Sequence, residues 1–458
     1  MHRMRRPAVK QDQKQSWRRL AAYLGLAFGA IVLAIAVLIV VFGGAILNGY
    51  GRRTAERAFA REYPGCQLRI GELTYSVSAN RLVAQSIALS SGTTTFKVAR
   101  ISLTGARWIR LLGGTAGRPG VFAQASLDAT NLKLEFPLAH YGIRCARLRA
   151  LVPDSELIAE GTELRALVGD EEFFAAHEFR TTRYHVVMPE CRVAGLDIGE
   201  LLQGGSCRVH SVRVFRPTFD ALVNRDKPAR PFVRRPPMVP EALAAIPRPL
   251  QIDSLSVANG HLTYSERVRA GDDPGVLTVG AVSVTVENIA NRVEASAAIL
   301  VRAQGDLMDT GTIKVAMSIP ITPADFSFHY SGSLSAMDLT RLNAFLEIAE
   351  HARIRSGSAK EATFEIDVSA GQARGRVRAI YENLEVAVLD KQTGSANGLD
   401  DRVASFLANE LKFRSSNAPD ASGAAREGKV DYTRKPADTF LKFVWYALRS
   451  GALDAISQ

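Results

Sequence analysis

VSVTVENIAN, residues 282–291, decides the fold class of this chain. Val282, Val284 and Val286 alternate with polar residues, and period-2 alternation places them on one face of a β-strand. Residues 288–291 interrupt the alternation and are predicted to form a turn. Because the opposite face is polar, the functional question is what covers the valines.

The same alternation recurs along the chain, with Gly, Asn and Asp between the segments. Phe96/Val98 and Ile101/Leu103 are typical of short strands in the first half. Helical patterns are few and fall at 339–349, 401–411 and 436–450. The sequence therefore predicts a mainly β chain. Further candidates for the apolar face are Ile313, Val315, Met317, Phe364, Ile366, Val368, Leu384, Val386 and Val388.

The positive charge is concentrated at the N-terminus. The formal net charge is +11, and residues 1–19 contain seven basic residues and one acidic residue. The remaining excess is spread over the rest of the chain, which does not indicate a nucleic-acid-binding surface. Residues 20–47 contain no charged side chain and exceed the ~20 apolar residues that a bilayer span needs. They are predicted to form an uncleaved anchor, with the basic tail in the cytoplasm and residues 48 onward on the outer side of the membrane.

Composition divides the chain beyond residue 47 into four segments and a linker or loop. A Pro-rich segment, 225–249, contains seven prolines and is predicted to be a linker or loop. It separates two β-rich halves, 48–224 and 250–414, and a flexible segment follows at 415–435. The chain ends in an amphipathic helix, 436–458, in which Gly451 fits a helix stop. Its apolar residues are candidates either for a membrane interface or for covering the sheet: Phe440, Leu441, Val444, Trp445 and Leu448.

Four cysteines lie beyond the anchor, in what would be an oxidising compartment: Cys66, Cys145, Cys191 and Cys207. Their even number favours structural disulfides, with the pairing left open. No C-x-x-C motif or nearby His completes a metal site. Motifs of hydrolases, metalloproteases and dinucleotide-binding enzymes are absent as well. The sequence therefore predicts neither an enzyme nor a cofactor.

The apolar strand faces leave two interpretations. Periodicity alone favours a dry β-sandwich, in which a second layer of protein covers each face. The alternative is a curved sheet whose valines and leucines line a trough for acyl chains. The chain offers few helices to cover so many strands and has an anchor ahead of them, which favours the trough.

Several motifs in the right order resemble the AsmA-like family of Gram-negative envelope proteins. They are Arg216-Pro217 with Asn224, Asn259-Gly260 with Tyr264, and Asn288-Ile289 with Asn291. The resemblance covers most of residues 50–450 and is weakest between 145 and 200.

This resemblance implies an inner-membrane protein with a periplasmic, elongated, curved antiparallel β-sheet groove and no active site. It further implies that the protein binds or transfers phospholipid for outer-membrane maintenance, with envelope protein partners. The alternative is a non-enzymatic scaffold that assists outer-membrane protein assembly.

Overall fold

The computed structural model describes residues 51–457 except 64, 77, 108–121, 203–204, 230–234, 293–297, 322–325, 390–412 and 422. Eighteen strands in these residues form one large sheet, so the expectation of a mainly β chain is confirmed. The expected anchor, the basic tail and the helix at 401–411 lie outside the described residues. Within the described ranges, no helix has both the length and the apolar character that a bilayer span requires.

The first seven strands pair antiparallel with their neighbours in chain order. They are β1 (Cys66–Ser76), β2 (Arg81–Ser91), β3 (Thr94–Thr104), β4 (Ser126–Phe136), β5 (Tyr141–Leu151), β6 (Glu156–Ala166) and β7 (Thr182–Ala194). Helix α1 (Gly51–Glu62) precedes them, and a 3₁₀ turn (Pro137–Ala139) joins β4 to β5. Helix α2 (Asp170–Ala175) precedes β7, and α3 (Ile198–Leu202) follows it.

The expectation of a wholly antiparallel sheet is wrong, because one pairing near the centre of the sheet is parallel. Strands β8 (Cys207–Phe215) and β9 (Thr218–Asn224) share one row, which pairs antiparallel with β7 and parallel with β10 (Leu250–Arg267). Parallel neighbours require the chain to return along the sheet. The chain from β9 to β10 runs through the Pro-rich segment, whose described residues include helix α4 (Val239–Ala244). The two β-rich halves therefore belong to one sheet.

The remaining strands again pair antiparallel. They are β11 (Gly275–Ala290), β12 (Ala298–Leu307), β13 (Gly311–Pro320), β14 (Phe328–Leu334), β15 (Met337–Asp338), β16 (Ala352–Ser369), β17 (Gln372–Val388) and β18 (Glu427–Thr433). Strands β14 and β15 both pair with β16. A 3₁₀ turn (Leu339–Leu342) continues into helix α5 (Asn343–Ala349), and helix α6 (Phe440–Ile456) follows β18.

Two local expectations from the sequence are wrong. Helix α6 does not stop at Gly451, because that glycine lies buried inside the helix, against β17 and β18. Residues 288–291 are not a turn, since β11 continues through Asn288 to Ala290. Asn291 instead fixes the start of β10: its side-chain oxygen accepts from the backbone N–H of Leu250 at 2.8 Å.

A row of irregular backbone crosses the strands at one level, which we call the kink row. From β1 to β7 the paired registers all skip this level, at Gly71, Ser86, Ala99, Asn131, Ala146, Gly161 and Pro189. The row continues through Arg216-Pro217, Asn259 and Ala281. Six of its residues have positive φ: Ser86 (51°), Asn131 (52°), Gly161 (62°), Arg216 (46°), Asn259 (53°) and Ala281 (46°).

The kink row resets the side-chain alternation, so that both halves of a strand keep their apolar residues on the same face. On β2 the buried residues are Leu82 and Ala84, and after Ser86 they are Ile87 and Leu89. The two apolar pairs near residue 100 behave alike and form one strand, β3, rather than two.

Candidate hydrophobic site on one face of the sheet

The sheet brings three of the four predicted apolar segments into continuous rows on one face, which we call the apolar face. Directly opposed residues in neighbouring strands point to the same side of a sheet. Val284 lies opposite Ala303, which lies opposite Val315. The same row continues through Gly332 to Phe364. A parallel row of opposed residues contains Val286, Val301, Met317, Tyr330 and Ile366.

Helix α6 covers one end of this face. Its Phe443 and Ala447 are 0% exposed and belong to the same buried cluster as Ile366 and Val368. The hydroxyl of Tyr330 donates to the carbonyl oxygen of Val444 at 3.1 Å, which fixes the helix over β14. Of the predicted groove residues, Ile366 and Val368 are therefore ordinary core. Val286, Met317 and Phe364 are half-buried at the margin of this cluster.

The predicted segment on β17 contributes to a separate cluster. Leu384 is buried with Ile354 and Tyr381, and Val386 packs against them. Leucines of the 3₁₀ turn and of α5 complete this cluster. The side chain of Val388 lies outside the described residues.

Between the covered regions, the apolar face is only half-covered. Val282, Val284, Ile313 and Val315 are half-buried and belong to none of the buried clusters. Strands β7 to β10, on either side of the parallel pairing, supply further apolar residues on the same face, which the sequence analysis did not single out. We call the whole set the middle section: Met188, Cys191, Val193, Val212, Val214, Phe219, Leu255, Val257, Leu262, Val279, Val282, Val284, Ala303, Ile313 and Val315.

The opposite face of the sheet is polar and carries ion pairs between neighbouring strands. Arg302 pairs with Glu287 at 2.6 Å, and Arg376 pairs with Glu365 at 3.0 Å. Such exposed pairs stabilise a fold by only about 0–1 kcal/mol each. This face is therefore solvated, which leaves the apolar face as the candidate site.

Helix α6 packs on the sheet, as one of the two expectations for it required. Phe440, Val444 and Leu448 pack against the buried cluster. Leu441 and Trp445 point away from it and are 75% and 55% exposed. Only these two of the five predicted interface residues remain available to a membrane or a partner.

The expected disulfides are absent from the described structure, in which all four cysteines are free. Cys145 and Cys191 lie on β5 and β7, which β6 separates. Two strand spacings place such rows roughly 9–10 Å apart, beyond the ~7 Å Cα limit for a disulfide. Burial raises the pKa of both thiols, so both are protonated at neutral pH.

The middle section ends in a group of five charged residues and one tyrosine, which we call the end cluster: Arg180, Arg225, Tyr264, Glu266, Glu350 and Arg449. Glu266 continues the alternation of Leu262 and Tyr264 along β10 and therefore lies on the apolar face. Arg225 donates to Glu266 at 2.9 Å and to the carbonyl oxygen of Ala349 at 2.8 Å. The pattern Leu262-x-Tyr264-x-Glu266 was the sequence signal that could have revealed this cluster.

Helices α5 and α6 meet at the end cluster. Arg449 of α6 pairs at 3.3 Å with Glu350, which follows α5. Burial raises the pKa of Glu350, although Arg449 and Arg225 oppose this effect. Among the described residues, no group of three or more His, Cys, Asp or Glu side chains is arranged to bind a metal ion.

Comparisons with known proteins add no assignment. No protein-family model matches the sequence, and no curated protein matches it either.

Proposed function

We propose that this chain is a membrane-anchored periplasmic protein that binds or transfers phospholipid, with the middle section as its hydrophobic groove. The half-covered middle section is the observation that carries this proposal. Each fully buried aliphatic side chain contributes about 1.5–3 kcal/mol, so a long apolar surface that its own chain only half-covers favours an apolar ligand. The resemblance to AsmA-like proteins supports the same function. The protein then acts without catalysis.

The topology fits an open groove in the middle section, whereas β1 to β5 of the same sheet form a dry core. A sandwich needs two sheets packed face to face. The described strands instead belong to one sheet, with β1 and β18 at its two ends and no pairing between these two strands in the described ranges. The half-buried state of Val284 and Val315 fits a surface that curves around a ligand.

The second candidate function is an envelope scaffold that assists outer-membrane protein assembly. Leu441 and Trp445 favour it, because they form an exposed apolar pair one helical turn apart on α6, away from the apolar face. In this case the partner would bind outside the groove, and the middle section would contact no lipid.

The test places a photoreactive amino acid at Val315 of the full chain in cells and identifies the adducts by mass spectrometry. We expect lipid adducts at Val315 and at Val284. Lys314 is the matched control, since it precedes Val315 on β13 and lies exposed on the opposite face. Ile366 is the control for buried core, where only adducts within the chain are expected. Adducts within the chain alone at Val315 would contradict the lipid proposal, and protein adducts at Trp445 would then support the scaffold.

A further inference from the structure

The end cluster lies beside the C-terminal end of β10, where the apolar face reaches the ends of the strands. Along β10, Leu255, Val257, Leu262, Tyr264 and Glu266 all lie on the apolar face. Strands rise about 3.3 Å per residue, so Glu266 is only about 13 Å beyond Leu262. A surface that is apolar for most of its length and charged at one end matches the two parts of a lipid.

The two carboxylates of the end cluster are already engaged. One oxygen of Glu266 accepts from Arg225, and the other accepts from the hydroxyl of Tyr264. Glu350 pairs with Arg449. The side chains of Arg225 and Glu266 are 14% and 17% exposed, and those of Arg449 and Glu350 are 16% and 17% exposed. Both pairs are therefore largely removed from water and fixed in place.

Arg180 is the third cation of this cluster, and no carboxylate of the described residues lies within ion-pair distance of it. Its Nη2 reaches only the carbonyl oxygen of Arg225, at a long 3.4 Å. Its buried Nε has no acceptor among the described residues. Burial lowers the pKa of the Arg180 guanidinium, and the nearby Arg225 lowers it further. Three arginines against two glutamates leave one uncompensated positive charge.

We propose that Arg180 binds the phosphate of an anionic glycerophospholipid whose acyl chains lie along the middle section. This inference rests on the proposed function. Arginine presents a planar fork of N–H donors that matches a phosphate, and such charge-assisted bonds are about twice as strong as neutral ones. A phosphate at this position would accept from the terminal N–H groups of Arg180 and neutralise the excess charge.

The test compares two lipids with identical acyl chains, phosphatidylglycerol and diacylglycerol, which lacks the phosphate. Both are titrated into the delipidated full chain in a non-ionic detergent, and bound lipid is counted by native mass spectrometry. We expect the wild type to prefer phosphatidylglycerol. Arg180→Gln should weaken phosphatidylglycerol binding about tenfold and leave diacylglycerol binding within about twofold.

Arg213→Gln is the matched control, because Arg213 is exposed on the polar face of β8, and it should change neither affinity. Arg180→Lys keeps the charge but loses the fork, so an intermediate preference is expected. If Arg180→Gln loses both lipids through misfolding, the lysine variant decides.

The outcomes separate the two proposals. If wild type and Arg180 variants prefer phosphatidylglycerol equally, the headgroup site is wrong and the groove stands. If the wild type binds neither lipid, the proposed function itself fails. Glycerol 3-phosphate distinguishes the source of the phosphate: binding as tight as that of phosphatidylglycerol would mean that the site takes a free phosphate ester, which would overturn the lipid assignment.

Discussion

The covered and half-covered parts of the apolar face have the same alternation of apolar residues along their strands. They differ in whether a helix packs on them. Val315 and Phe364 stand in one row of opposed residues, as do Met317 and Ile366 in the next row. Helix α6 buries Ile366 completely, whereas Val315 remains half-buried. Alternation therefore decides which face is apolar, and the packing of distant helices decides whether that face is core or binding surface.

A charge on each part of the face gives the largest expected difference. Ile366→Asp buries an unpaired carboxylate under α6 and should cost about 4 kcal/mol or more of the free energy of unfolding. Val315→Asp places the same group in the middle section and should cost about 1 kcal/mol, because water can reach it. Urea unfolding of both full-length variants checks this prediction. Equal losses would show that the middle section is dry core.

The second-largest effect is expected when the contact between α6 and the sheet is weakened. Phe443→Ala deletes a fully buried ring between α6 and the sheet, so we expect a loss of about 3–5 kcal/mol. Trp445→Ala is the control on the exposed side of the same helix and should change stability by about 0.5 kcal/mol or less. Hydrogen exchange should accelerate in α6, β17 and β18 for the first variant only. Similar exchange in both variants would argue against α6 as the cover.

The close approach of α6 to the sheet can be tested at Gly451. A Cβ at this position would lie 2.5 Å from a methyl carbon of Val430 and 2.6 Å from one of Val377. Gly451→Val should therefore cost about 1–3 kcal/mol by overpacking, measured as a lower melting temperature. Gly169→Ala is the matched control, since nothing lies within 4 Å of its Cβ position. A neutral Gly451→Val would mean that α6 can move away from β17 and β18 without loss.

The smallest effect concerns Glu350, at the boundary between the two parts. Burial raises the pKa of Glu350, so its carboxyl group is protonated more readily in the folded state than in the unfolded chain. The resulting stability is fully present below the unfolded pKa and is lost as the pH rises through the folded pKa. Glu350→Gln cannot ionise, so its melting temperature relative to wild type should rise by about 2 °C between pH 4.5 and pH 8. A constant difference between these two pH values would contradict burial of the carboxyl group.

The sequence was sufficient for the fold class and for part of the apolar face. Alternation identified Val284, Val315 and Phe364 as partners on one face, because the period of a strand is a local property. It could not show that α6 buries Ile366 or that α5 covers Leu384, since these contacts join distant parts of the chain.

The site was harder to predict than the fold. The parallel crossover and the end cluster escaped the sequence analysis for the same reason as the helix contacts: Arg180, Arg225 and Arg449 meet only through the folded sheet. The kink row also made strict alternation fail, because it divides the apolar residues of β3 into two pairs at the level of Ala99.

The kink row has a further consequence for how the sheet chooses its pairing. Strands of uniform alternation can slide past each other by two residues and still present the same face, so many alignments would be nearly equal in energy. A residue with a left-handed backbone conformation, such as Ser86 or Asn131, occurs at one fixed position on its strand. If one strand slid by two residues, its irregular residue would no longer lie opposite the irregular residue of its neighbour, and both ladders would lose hydrogen bonds. The kink row therefore favours a single register for a long repetitive sheet.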